Sequence, residues 1–243
     1  MWHLLIVLGF LLGSIAVMGQ ETSPLTDAPK SNQTRSNPEQ NGRQSDDSEG
    51  QQTKRILWII PNYRAVSAST KLPPLSTKAK FILATQDSFD YSSFIIAGLL
   101  AGYGQATNST PEFHQGAAAY GRYYWHSFAD QAVGNYSTEA IIPAVTREDP
   151  RYYTLGSGGF LHRTSYAISR LFITRTDSGG NTFNFSEIGG NLMGAGVSDF
   201  YYPSQERTFG KTAAKWGTQI GVDGIGNLLK EFWPDIRHAL LRQ

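Results

Sequence analysis

The chain has 243 residues, a formal net charge of +1 and no cysteine. Disulfides, thiol catalysis and cysteine-ligated metal sites are thereby excluded, and a charge so near zero marks no nucleic-acid-binding surface. Composition is uneven: residues 56–243 hold 28 of the 30 aromatics and 20 of the 25 glycines, so a packed core is expected only there.

Leu4–Met18 is an uncharged run of fifteen residues followed by a polar stretch. A run of roughly 7–15 apolar residues suits an export signal, whereas a spanning helix needs about 20. Val17 and Gly19 supply small residues for a cut after Gly19, although Met1-Trp2-His3 lacks the usual Lys or Arg. Residues 1–19 are therefore expected to be a signal peptide, with an uncleaved anchor as the alternative. Residues 20–55 have almost no apolar side chain beyond Leu25 and Ala28. Such a segment buries too little to offset its ordering entropy, so a disordered polar spacer is expected.

Residues 56–243 are expected to form a single helical domain. Residues 56–60 end at Pro61 and read as a short extended segment. Ser76 suits the N-cap of a helix from Thr77 to about Phe89. Tyr91 to Pro111 contains no charged residue, which suits either a fully buried central helix or membrane contact by residues 91–106. Between Gln115 and Ala140, Tyr120, Tyr124, Phe128, Ala132, Tyr136 and Ala140 fall four apart as an apolar row, and Arg122, His126 and Asp130 form a polar one. Pro143 should kink or end this helix.

Arg163 to Thr176 fits a helix or the first arm of a hairpin, and a helix followed by a tight loop at Asp177–Asn181 is preferred. A further helix is expected over 186–200. The last long helix should run from about Lys211 to Phe232, with Trp216, Ile220, Leu228 and Phe232 near its apolar face. Lys211, Lys215, Gln219, Asp223, Asn227 and Glu231 make its polar row. Pro234 should interrupt it before a short terminal helix.

Small residues recur four apart at Ala97 and Ala101, Gly98 and Gly102, Ala117 and Gly121, Ser186-Gly190-Gly194-Ser198, and Gly217 and Gly221. Such stripes let helix backbones approach closely. The fold class expected is mainly α: a compact Gly-rich bundle of about five helices. No segment of the body offers 18 consecutive apolar residues, so peripheral rather than spanning membrane contact is expected.

No complete catalytic motif is present. The row Arg122, His126, Asp130 places a histidine between a cation and a carboxylate, yet no Glu-x-x-His or His-Glu-x-x-His pair accompanies it, and a solvated face is the preferred reading. Glu139 and Glu187 are further acid–base candidates. Arg163, Arg170, Arg175 and Asp177 border apolar runs and are expected to join buried ion pairs that hold helices in register. No cofactor and no metal site is expected.

The succession Ile-Pro-Asn-Tyr-Arg (60–64), Glu-Asp-Pro-Arg-Tyr-Tyr (148–153), Thr-Arg-Thr-Asp-Ser-Gly (174–179) and Glu-Phe-Trp-Pro-Asp-Ile (231–236) resembles a family of uncharacterised exported bacterial proteins. The resemblance covers about residues 56–240 and implies a cell-envelope setting, periplasmic or outer-membrane-associated, with no activity to transfer. The function expected is a non-enzymatic envelope module whose partner is a membrane surface or another envelope component. Two alternatives stay open: an envelope hydrolase using His126, Asp130, Glu139 or Glu187, and a binder of a small apolar ligand. Oligomeric state is left open.

Overall fold

Six helices form the frame of the computed structural model, which describes residues 54–56 and 60–241. These belong to one compact unit, Arg43–Gln243. The expected signal peptide and residues 20–53 of the spacer lie outside the described residues. Helix α1 is Thr77–Ser88 and α2 is Tyr91–Ala106. Helix α3 runs over Ala117–Asn135 and continues through a π-helical segment, Tyr136–Ile141, into Ile142–Thr146. Then follow α4, Phe160–Ser169, α5, Phe185–Ser198, and α6, Phe209–Leu241.

The helix starts follow from local chemistry. Ser76 accepts the Ala79 N–H at 3.2 Å, and Asp90 accepts that of Ser92 at 2.9 Å, each satisfying a first-turn donor. Helix α5 has two such acceptors. Asn184 takes the Glu187 N–H, and the buried Glu148 carboxylate takes those of Phe185 and Ser186, where the helix dipole favours negative charge.

Short strands tie the loops together. β1 (Arg55–Ile56) pairs antiparallel with β2 (Ile60–Pro61), and β3 (Ala65–Ser67) pairs parallel with β5 (Tyr152–Thr154). β4 (Glu148–Asp149), β6 (Ile173–Thr176) and β7 (Asn181–Phe183) form an antiparallel sheet in the order β4-β6-β7.

Several expectations are corrected. The spacer stops short of Arg55, because that residue pairs with Pro61 in β1 and its guanidinium meets Asp90 at 2.5 Å. The preferred helix over 163–176 ends at Ser169, and Ile173–Thr176 becomes one arm of a hairpin, since the β4 edge offers it a second strand to pair with. Pro143 sits within the last turn of α3 instead of ending it, just after the π-helical stretch; such an insertion absorbs the lost hydrogen bond.

Pro234 lies inside a continuous α6. Arg163 holds the helix on both sides of it, donating to the carboxylate and carbonyl of Glu231 and to Asp235 one turn on. That external clamp opposes the break that proline favours.

Burial follows neither expected row throughout: on α3, Ala140 of the apolar row and His126 of the polar row are both buried, while Tyr120 and Arg122 are exposed. Over Ala117–Asn135 the buried positions are Ala119, Tyr123 and His126, whereas Tyr120 and Trp125 are exposed and Phe128 packs outward against Phe89 and Phe94. On α6 the polar row turns inward: Asn227 and Glu231 are buried. Helix α2 is no buried central helix. Ser92, Ser93, Ala97, Ala101 and Gly104 face inward, and Phe94, Ile95, Leu99 and Leu100 face outward.

Small side chains make this arrangement possible. A Cβ on Gly190 would meet Thr138 Cα at 2.9 Å, and one on Gly194 would meet Gly134 Cα at 3.5 Å. The 186–198 stripe therefore packs directly on the π-helical part of α3. The pairs at Gly102, Gly121, Gly217 and Gly221 do not act this way, because a Cβ at any of them meets nothing within 4 Å.

Candidate functional site

The helices enclose a polar interior with two adjoining cavities. Both are lined by Arg64, Thr138, Glu187, Asn227 and Lys230, from the loop after β2 and from α3, α5 and α6. The empty volumes are about 550 and 420 Å³, part of each open to solvent.

Arg64 organises the first group of charges. Its guanidinium lies 3.4 Å from Asp87 and 3.2 Å from Glu139. Burial holds both carboxyls above their ordinary range, Glu139 far above, although Arg64 opposes the shift. The two acids face each other closely enough to share a proton. One oxygen of each is buried without another hydrogen-bond partner, which such sharing explains.

A second acid pair lies in the smaller cavity. Asn191 Nδ2 donates to Glu187 at 3.1 Å and to Asp223 at 2.9 Å. Burial and then the Asp223 charge push Glu187 well above its usual range. Between the acid pairs, burial and the Arg64 charge bring the Lys230 ammonium down to about 8. The interior thus favours the protonated form of its carboxyls and the neutral form of its amine more than water does, an arrangement able to exchange protons with a bound polar group.

The larger cavity is cationic. Arg151 is neutralised by a forked contact with Asp149, at 2.9 and 2.7 Å. Arg170 and Arg175 also line it, and neither has a carboxylate within 4 Å among the described residues. Arg175 lies 3.8 Å over the Tyr153 ring and Arg170 lies 5.4 Å from that of Tyr166. Arg170 Nε is buried without an acceptor.

The candidate residues read from the sequence divide between sites. Glu139 and Glu187 both belong to the interior around Arg64 and Lys230. His126 and Asp130 lie apart from them. The solvated face expected for these two is corrected: His126 is buried, with its ring nitrogens 2.7 and 3.0 Å from the carbonyl oxygens of Arg122 and Tyr201. Asp130 accepts the hydroxyls of Tyr201 and Tyr202 at 2.6 and 2.7 Å. These contacts fasten the segment after α5 onto α3.

Two of the four ion-pair candidates have carboxylate–cation partners. Arg163 meets Glu231 at 2.9 Å and Asp177 meets the buried Lys80 at 2.7 Å. Arg170 and Arg175 are corrected to cavity residues stacked on aromatic rings. Arg64 stood in the 60–64 signature with no role attached to it, and neither Asp87 nor Lys230 could be assigned a role from spacing. Asp223 stood in the polar row of α6, though nothing there set it apart. Among the described residues, no group of three or more His, Asp or Glu side chains is placed to hold a metal ion.

The outer surface is the other unusual feature. Phe81, Ile82 and Phe89 of α1 and Phe94, Ile95, Leu99 and Leu100 of α2 are all exposed, Ile95 and Leu99 by 50% each. Phe94 stacks on Phe128 with ring centroids 4.9 Å apart, and Phe89 meets the same ring edge-on. The result is one apolar face across α1 and α2. Lys78 is exposed on α1, while Arg55, 4.2 Å over the Tyr91 ring, is paired with Asp90. No helix among the described residues is long and apolar enough to cross a membrane.

No family model, curated protein or solved structure matches this chain.

Proposed function

We propose that the protein is an exported, non-enzymatic cell-envelope module that rests on a membrane surface through α1 and α2. One observation carries this reading: Phe94, Ile95, Leu99 and Leu100 of α2 point outward with Phe81 and Ile82 of α1, while Ser92, Ser93, Ala97, Ala101 and Gly104 of α2 point inward. Water opposes that polarity, since exposed apolar area is unfavourable by about 25 cal/mol per Å². A lipid interface favours it, because the apolar face enters the acyl boundary and Lys78 meets anionic headgroups. The absence of charge between Tyr91 and Pro111 lets α2 lie at that depth.

The leader supplies export and the polar spacer supplies reach from the point of attachment. Small-residue packing between α3 and α5 keeps the bundle narrow under its apolar face. The resemblance noted above agrees with an envelope setting. The hydrolase alternative retains Glu139 and Glu187 as an acid–base pair but loses His126 and Asp130, which lie elsewhere, so it lacks the convergence of three candidates that it needs.

The test is fractionation of cells producing the full chain, followed by flotation of the purified protein with anionic lipid vesicles. Retention on membranes through high-salt and carbonate washes is expected. The double substitution Ile95→Gln with Leu99→Gln should weaken vesicle binding by about tenfold or more. Complete release into the soluble fraction without detergent, or vesicle binding insensitive to that substitution, defeats the proposal.

A further inference from the structure

We propose that the cationic cavity bounded by Arg64, Arg170, Arg175 and Lys230 binds a small oxyanion carrying at least two negative charges, a phosphate group above all. The proposal does not depend on the membrane reading, because this cavity lies inside the bundle and the apolar face lies outside it.

Charge matching is the first support. Of the cations around the cavity, Arg151 is satisfied by Asp149, and Arg64 is shared between Asp87 and Glu139. That leaves Arg170, Arg175 and Lys230 with no carboxylate within 4 Å among the described residues. Of the two acids on the cavity wall, Asp149 is engaged by Arg151, and Glu187 holds its proton more tightly than usual because it is buried beside Asp223. Converging cations without a direct carboxylate partner repel one another, and an anion among them lowers that repulsion.

The donor geometry is the second. Arg175 lies on the Tyr153 ring and Arg170 beside the Tyr166 ring. Stacking uses the face of a guanidinium and leaves its in-plane N–H groups for an acceptor. The Arg175 fork has one long contact, 3.5 Å to the Ala68 carbonyl, and Arg170 Nε is buried with no acceptor at all. A buried donor without a partner is rare in a folded protein and calls for one. Guanidinium forks match tetrahedral phosphate oxygens in pairs. Thr174 and Asn227 on the same wall add neutral polar groups.

The shared chemistry is the phosphate, whose source is either a free phosphorylated solute or a lipid headgroup. The test titrates the full chain calorimetrically with inorganic phosphate, pyrophosphate and a monomeric short-chain phosphatidic acid, all at matched ionic strength in chloride. Saturable binding of at least one is expected, and the relative affinity of the lipid arm identifies the source. Arg170→Gln and Arg175→Gln should each weaken binding by about tenfold or more, while Arg237→Gln, exposed near the end of α6 and lining neither cavity, should leave it unchanged. Phosphorus NMR of the unsubstituted protein with pyrophosphate gives a readout that needs no variant, through broadening or a shift of the ligand signal. The proposal is overturned if no phosphate compound binds up to about 10 mM, if chloride competes equally, or if folded Arg170→Gln and Arg175→Gln proteins bind as before.

Discussion

Arg163 of α4 meets Glu231 of α6 at 2.9 Å, and Glu231 has no solvent exposure. The same carboxylate accepts the Tyr152 hydroxyl at 3.1 Å and the N–H groups of Leu155 and Gly156, both at 3.0 Å. Two helices, a strand and the loop after it are joined at one buried charge. This is a polar core in the position where a bundle usually has an apolar one.

Removal of one partner leaves the other charge buried and uncompensated. Arg163→Met is therefore expected to cost about 3–5 kcal/mol in denaturant unfolding. In a double-mutant cycle with Glu231→Gln, the two changes should couple by about 1–3 kcal/mol. Additive effects would show that the pair does not act as a unit.

Two glycine substitutions should have opposite signs. Gly190→Ala drives a methyl group against the Thr138 backbone at 2.9 Å, which neither helix can relieve by rotating a side chain. A loss of about 1–3 kcal/mol is expected from that overpacking. Gly221→Ala meets nothing within 4 Å and should raise stability by about 0.5–1 kcal/mol through helix propensity. Thermal melts of the two proteins separate a packing stripe from incidental glycine.

The buried acids predict an unusual dependence of stability on pH. Folded Glu139 and Glu187 keep their protons well above 4.5, chiefly because they are buried. As pH rises past the ordinary range, the unfolded chain releases these protons first, so stability falls until the folded groups also ionise. Lys230 has the opposite slope. Its folded value of about 8 lies below the ordinary 10.5, and stability therefore rises between those values. Glu187→Gln should flatten the acidic limb and stabilise the protein by about 1 kcal/mol at neutral pH. Lys230→Met should abolish the alkaline rise. Melting temperatures across pH 4.5 to 10.5 check both.

Asp130→Asn tests the fastening of the segment after α5. An amide has one acceptor oxygen where the carboxylate serves two tyrosines at 2.6 and 2.7 Å. A loss of about 1–2 kcal/mol is expected, with earlier tryptic cleavage at Arg207 and altered Trp125 fluorescence, since the Trp125 ring lies 5.6 Å from Tyr201. Unchanged cleavage would assign the docking to other contacts.

Much of the helical frame was legible from local chemistry. The Ser76 cap, the start of α1 and the near-whole extent of α5 follow from signals that act within one turn of chain. The hairpin at Ile173–Phe183 stood as the second of two readings, and local signals could not choose it, because its β4 neighbour comes from residues about 25 positions earlier. The continuity of α6 through Pro234 likewise depends on Arg163, which no local window contains. For the interior site, Glu139 and Glu187 were visible as charges beside apolar runs. Their relation to Arg64, Asp87 and Lys230 was not, since these residues come from different elements of the fold.

What the amino-acid order determined by itself was where most helices lie and which side chains follow one another along them; the π-helical segment Tyr136–Ile141 takes the end of the α3 row off the face on which it began. Which side chains face inward was decided only by tertiary structure. Helical geometry groups side chains four apart but is indifferent to what lies opposite them, and here small residues brought the helices together on their polar sides. The near-neutral total charge shows the same division. It was read as marking no charged surface, yet the fold gathers Arg64, Arg170, Arg175 and Lys230 around one cavity, because net charge records a sum and electrostatic potential depends on where the charges stand.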